Sequence, residues 1–483
     1  MQPGFNGDMK NRILQPARCH LRMKSASSAA EAPLKIQTML MRISFVFLLA
    51  VPLWAQDPLS LRDAVRLSLR ENKSIAGATA GERASEARIT QARGGMLPKV
   101  NYSESYARSD NPVFVFSSLL TEHQFSIENF AIGPLNRPDF LNNFQSQITV
   151  DQPLYDAGQT RNAVKSAELA QKMTGEEQRR VQMEVISGTA RAYYGAVLAA
   201  ENLKAAEQAV RSAEADLKRA DAVRAAGMST DVDVLSIRVH LAAVTEQRID
   251  RAADLDVAKA ALNDALGLPL DIPHALTTPL AALDLPDLAL DGLESSASTS
   301  RPEARETRLA ANIAQTQADG AHAAMLPQVS FRGAFEADRQ RFIDRGGANW
   351  LASISLRWNL FNGSADKARI AETTGLAKRA ESDEQRTESA IRLQVRRAYA
   401  GLKAAQQRIE VAKAAVAEAE ESLRITQNRY EAGMNNVTDL LRTETAVLES
   451  RTRYLAAIHD QRVAATMLEL AAGRLNADSE VLN

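Results

Sequence analysis

Cysteine is almost absent from this 483-residue sequence. Cys19 is the single one, so neither a disulfide framework nor a cysteine-rich metal site can be built. A charge excess of one sign is also missing. Lys and Arg total 58 against 59 Asp and Glu, a net −1, which leaves no basic surplus for tracking phosphate backbones and argues against a nucleic-acid binder. The longest apolar run, Ile43 to Ala55, is about 13 residues and includes Ser44, too short to span a bilayer as a helix. Aromatic residues reach only 5%, yet 45% apolar and 24% charged residues mark a chain that folds. Proline is missing from two long windows, between Pro153 and Pro269 and after Pro327. Proline breaks helix interiors, so both windows are open to long helices. The prolines gather at 98–153 and 269–302, where strands, loops and a linker are expected.

Catalytic signatures are missing as well. The histidines at 20, 123, 240, 274, 322 and 459 form no HExxH pair, and there is no phosphate-binding loop and no G-x-S-x-G elbow. The carboxylates are those any long solvated helix carries. No enzymatic activity, metal or cofactor is expected. At the N-terminus, Arg42, the apolar Ile43–Val51 and the small Ala55 follow the order of a secretory signal, with Met39 and Met41 as alternative start sites to Met1. No cysteine follows this run, so no lipid-attachment site is expected on an exported chain.

What is present is a duplication. Ala192-Tyr193-Tyr194-Gly195 returns as Ala398-Tyr399-Ala400-Gly401 at an offset of 206. The same offset relates Ala226-Gly227-Met228 to Ala432-Gly433-Met434, Asp233-Val234-Leu235 to Asp439-Leu440-Leu441, and Leu154-Tyr155-Asp156 to Leu360-Phe361-Asn362. Upstream, Met96-Leu97-Pro98 matches Met325-Leu326-Pro327 at 229, so the first half holds 23 extra residues within the aromatic-rich stretch 109–143. The division expected is an extension with signal (1–55), a first repeat (56–267, tip at 226–231), a linker (268–300), a second repeat (301–473, tip at 432–438) and a tail (474–483).

Within each repeat the periods differ by region. Val395, Leu402, Ile409, Val416 and Leu423 recur every seven residues with Ala398, Ala405, Ala412 and Ala419 between them; Leu203, Val210 and Leu217 against Ala199, Ala206, Ala213 and Ala220 repeat the scheme. Seven-residue periodicity predicts helices that supercoil with neighbours, and alternating large and small side chains allow close approach. A helix over about 364–431 would run ~100 Å, reversing at a Gly-Met turn. On these helices alone a coiled-coil rod, an adaptor or structural filament, stands equally open. The strands weigh against it. Phe144, Ile148 and Val150 share one parity, as do Trp350, Ile354, Leu356 and Trp358, with Val100, Tyr102, Tyr106, Val329, Phe331 and Phe335 alternating likewise. One apolar face with aromatic ends is the pattern of a membrane barrel strand. Four such strands are too few for a barrel, whose minimum is about eight, so several chains would have to close one together.

In these residues the chain resembles the TolC-like outer-membrane efflux proteins over about 59–475. The resemblance rests on Leu59-Ser60-Leu61-Arg62-Asp63-Ala64, Glu71-Asn72, Arg301-Pro302-Glu303, the paired Leu-Pro-x-Val and Leu-Phe/Tyr-Asp/Asn segments, and glycine followed six residues later by Asp-x-Leu. Tyr430-Glu431-Ala432-Gly433 matches the family's Tyr-x-x-Gly, whereas the first half has Arg224 in place of the aromatic. The resemblance implies a mainly α fold with a small membrane β part. Four strands per chain would join a twelve-stranded barrel in a homotrimer, and long antiparallel hairpins would form a tunnel into the periplasm. It further implies an outer-membrane location and work with a periplasmic adaptor and an inner-membrane pump of RND or ABC type. Gly227, Met228, Gly433 and Met434 would be docking tips, and Arg224, Asp233, Arg429, Tyr430 and Asp439 would hold the aperture.

Overall fold

A computed structural model describes residues 57–226, 230–284, 289–344 and 346–483. The signal reading and the first tip, Gly227 and Met228, lie outside the described residues. The chain begins with β1 (Asp57–Leu59), α1 (Leu61–Glu71) and α2 (Lys73–Arg93). The two helices are separate because Asn72 turns extended and accepts from the Ser74 N–H, capping the second. Then come β2 (Lys99–Ser109), the short helices α3 (Pro112–Thr121) and α4 (Ile132–Asn136), and β3 (Leu141–Tyr155). The 67-residue α5 (Gln159–Ala225) and α6 (Asp231–Leu266) make the first long hairpin.

The second half runs β4 (His274–Leu276), α7 (Leu290–Ser300), α8 (Pro302–Ala323), β5 (Gln328–Arg339) and β6 (Gly347–Arg357). Its hairpin is α9 (Ala365–Glu431), also 67 residues, and α10 (Val437–Ala471). At 1.5 Å per residue each 67-residue helix is ~100 Å long.

Four strands form one antiparallel sheet in the order β2-β3-β5-β6. The register brings the expected apolar residues onto one face: Tyr102 opposite Ile148, Ile148 opposite Phe335, and Phe335 opposite Trp350. These side chains are exposed, Trp350 by 79%. The other face carries Gln145, Gln147 and Glu336, the two glutamine Nε2 groups donating to Glu336 Oε2. Beyond the four expected strands, β1 and β4 pair as a small parallel sheet. Three-residue strands offer no alternation to read, which is why they escape a sequence pattern.

That small sheet belongs to the main core, where Tyr193 and Tyr194 are fully buried. The Tyr193 hydroxyl donates to Leu59 O (2.8 Å) and accepts from the Thr278 N–H (2.9 Å), fastening α5 to both edges of the connection. Arg462 on α10 donates to the Tyr194 hydroxyl, Ala281 O and Asn483 O. The 474–483 segment packs onto this core, with Leu475, Val481 and Leu482 buried.

The alanine row of α5 faces inward, whereas on α9 Val395, Leu402 and Ile409 are buried together with Ala405. Ala199, Ala206, Ala213 and Ala220 are all buried on α5, more so than the half-buried Leu203, Val210 and Leu217. Small side chains, rather than alternating large and small ones, make the tightest seam there. Both return helices end at a left-handed glycine, Gly267 (φ 79°) and Gly473 (φ 72°). A Cβ on Gly267 would lie 2.6 Å from Glu71 O, and one on Gly473 would lie 2.9 Å from the Arg301 backbone N. The Glu71-Asn72 and Arg301-Pro302-Glu303 segments are thus the surfaces against which the hairpins close. Arg301 is held there by a two-pronged bond to Glu303 and by Gln394.

Gly473→Ala should therefore lower the thermal unfolding temperature of the full chain in detergent. The left-handed backbone alone costs about 1–2 kcal/mol, and the Arg301 contact adds to it. Gly401→Ala, in a helix interior where a Cβ meets nothing within 4 Å, should be neutral or stabilising by up to about 1 kcal/mol. Equal effects of the two would refute the close-approach reading.

Candidate functional site

The hairpin ends are built by helix-capping chemistry. On the second hairpin α9 ends in a Schellman turn: Gly433 has φ 71°, its N–H donates to Tyr430 O, and the Met434 N–H donates to Arg429 O at 2.8 Å. Met434 projects from this turn with 65% of its surface exposed. Asn436 then caps α10 by accepting from the Asp439 N–H at 2.9 Å. On the first hairpin Thr230 and Asp233 form a reciprocal capping box at the start of α6.

Of the expected aperture residues, Arg224 pairs with Asp231 at 3.3 Å, and the Asp233 carboxylate accepts from the Thr230 hydroxyl in the cap. Arg429 makes no ion pair with a described residue. Tyr430 is half-buried against Ala220, Val234, Ile237 and Val437, an apolar knot drawn from all four long helices. Burial, then the charges of Asp233 and Asp216, push its phenol up.

Just inside this knot is a polar cluster that motif reading does not find. Arg219 on α5 reaches Asp216 at 3.0 Å and Glu431 on α9 at 3.5 Å. His240 Nε2 on α6 lies 3.4 Å from Glu444 Oε2 on α10. Asp216 and Glu444 form a coupled carboxyl pair. Burial first, then Glu444, push the Asp216 carboxyl up to about 7, with Arg219 opposing and Glu431 assisting. Glu444 is held low, since hydrogen bonds from His240 and Asp216 outweigh burial. A cavity of about 540 Å³ adjoins the cluster, lined by His240, Glu444, Arg424 and Arg451 among others. One signal was available in the sequence. Asp216 stands between Ala213 and Ala220 on the face of α5 that is otherwise small and apolar.

No three His, Cys, Asp or Glu side chains converge as metal ligands among the described residues, and no described helix is long and apolar enough to cross a membrane. The site's chemistry is contact and charge pairing between helices. The family described as Outer membrane efflux protein matches residues 64–268 and 293–474. The chain belongs to that family.

Its relatives include Outer membrane efflux protein BepC of Brucella suis, 25% identical over 360 residues, covering 72% of this chain and 76% of BepC. Alkaline protease secretion protein AprF of Pseudomonas aeruginosa is 23% identical over 431 residues, covering 88% and 86%. Among solved structures, the CmeC outer membrane channel of Campylobacter jejuni shares the fold with a TM-score of 0.73 at 16% identity, covering 87% of each chain. This efflux-family protein is an outer-membrane protein, and the helical rod that its coiled-coil pattern left open is set aside.

The Asp216 proton gives the hairpin interface a pH dependence. A carboxyl raised on folding stabilises fully below its ordinary value of 3.8 and loses that contribution as pH rises through about 7. Glu444 behaves oppositely, its contribution fading only as pH falls below 4.5 and through its lowered value. Between pH 5 and 8 Asp216 decides the sign. Hydrogen exchange in 231–244 and 437–447, corrected for intrinsic rates, should be slower at pH 5.5 than at 7.5, and Asp216→Asn should remove the difference. Protection that grows with pH would contradict this.

Proposed function

We propose that this chain is the outer-membrane exit duct of a tripartite efflux or secretion system, conducting substrate passively from a pump and its adaptor. The observation that carries the reading is the four-stranded sheet. It presents an exposed apolar face, and its two edge strands, β2 and β6, have no further strand partner among the described residues. Lipid cannot satisfy an open edge. Three copies would place twelve strands in one closed barrel, above the minimum of about eight. The family relationship supports a homotrimer of this kind, with the ~100 Å helices extending from the barrel into the periplasm as a tunnel.

The sequence carries no phosphate-binding loop, and energy is assigned to an inner-membrane pump of RND or ABC type. Substrate class follows the relatives only as far as efflux and protein secretion. The turns at Gly227-Met228 and Gly433-Met434 are assigned to adaptor docking. Methionine suits such a surface because it is flexible and polarisable and repacks against a partner. Arg224, Asp233, Arg429, Tyr430 and Asp439 are assigned to holding the aperture. The exposed Arg224–Asp231 pair is worth only about 0–1 kcal/mol, in keeping with a gate that opens on docking.

Met434→Glu should abolish export while leaving normal assembly in the membrane, because it sets a charge into an apolar contact. Export assays with adaptor crosslinking from position 434 test this. Normal export together with retained crosslinking would reduce the turn to a helix reversal.

A further inference from the structure

At the end of the sheet far from the long helices, the segment 110–140 folds back over the polar face. Helix α3 stops at Glu122, where the chain lies against β6. A Cβ on Gly347 would sit 2.0 Å from Thr121 O and 2.8 Å from the Glu122 carbonyl carbon. Gly347 is the cross-strand partner of Asp338 on β5, and directly opposed residues share a face. The Asp338 side chain therefore stands beside Glu122. Asn143 on β3 joins them, donating Nδ2 to Asp338 Oδ1 at 2.9 Å. From the other side Gln340 donates to Glu122 Oε2, also at 2.9 Å.

Two carboxylates are thereby shut away together, Glu122 at 2% exposure and Asp338 at 1%. One oxygen of each, Glu122 Oε1 and Asp338 Oδ2, is sealed from solvent with no hydrogen bond, and so is Asn143 Oδ1. Neither carboxylate has an ion-pair partner among the described residues. Buried charges are ordinarily paired or bound to a metal. The three unpartnered atoms are all oxygen acceptors, two of them anionic, the donor set of a hard divalent cation.

We propose that Glu122, Asp338 and Asn143 form an oxygen-only site for a divalent cation, calcium by preference, that pins the 110–140 segment across the end of the sheet. Calcium tolerates irregular coordination and takes its remaining oxygens from backbone carbonyls and water. Magnesium demands a small regular octahedron and dehydrates reluctantly. On the channel reading this end faces the cell exterior, so the cation would fasten the segment once the chain is in place. The binding itself is independent of that reading.

The test is calorimetric titration of calcium chloride into the full, calcium-stripped chain in detergent. One binding event per chain is expected, with a Kd of about 10⁻⁴–10⁻³ M and magnesium about tenfold weaker or more. Calcium should also protect residues 110–140 from chymotrypsin. Glu122→Gln and Asp338→Asn each remove a buried charge, so both should fold, and both should lose the binding and the calcium-dependent protection. Absence of binding to the unaltered chain, or binding that survives both substitutions, would overturn the proposal. So would protection produced by lowering the pH to 5 without calcium, which would assign the site to a proton shared between the two carboxylates.

Discussion

Hydrocarbon offers no hydrogen bonds, and that single constraint governs how the four-stranded sheet can be used. Its apolar face suits lipid, with Tyr102, Ile148, Phe335 and Trp350 in register across all four strands. Its edges do not. On the proposed reading, copies of the chain lie beside β2 and β6, and membrane insertion and assembly become one event. The absence of cysteine beyond Cys19 means that packing and hydrogen bonds hold the exported portion together.

The long hairpins face the opposite problem. They have water on one side and each other on the inside, and their stability rests on close approach. Buried alanines on α5 supply the seam, and left-handed glycines at 267 and 473 let the return helices touch the α1–α2 and α7–α8 junctions. Near the tips the seam changes character. Asp216 interrupts the alanine row and meets Glu444, while Arg219 and His240 reach the second hairpin on either side. A polar link of this kind is weaker than apolar packing and responds to protonation.

Much of this was legible because periodicity is physical. Alternation over 144–152 and 350–358 placed β3 and β6, since each has one face for an apolar phase and one for a polar one. The proline-free windows held the 67-residue helices, and the Gly433-Met434 turn follows from the φ that ends a helix. Other features leave no periodic trace. The β1–β4 pair is three residues long and joins segments more than two hundred positions apart. Helices α3 and α4 sit in an aromatic stretch without a repeat. The pairing of Arg224 with Asp231, seven positions on across the turn, is one of several that spacing allows. The Glu122–Asp338 contact joins residues from different halves and is visible only once the sheet register is known.

Closure of one barrel by three chains is the claim on which the channel reading stands. Native mass spectrometry of the protein extracted from outer membranes measures it directly. Three copies of the processed chain in a single complex are expected, persisting at detergent concentrations that strip away lipid. A stable monomer with its sheet intact, or a complex of any other number, would contradict it.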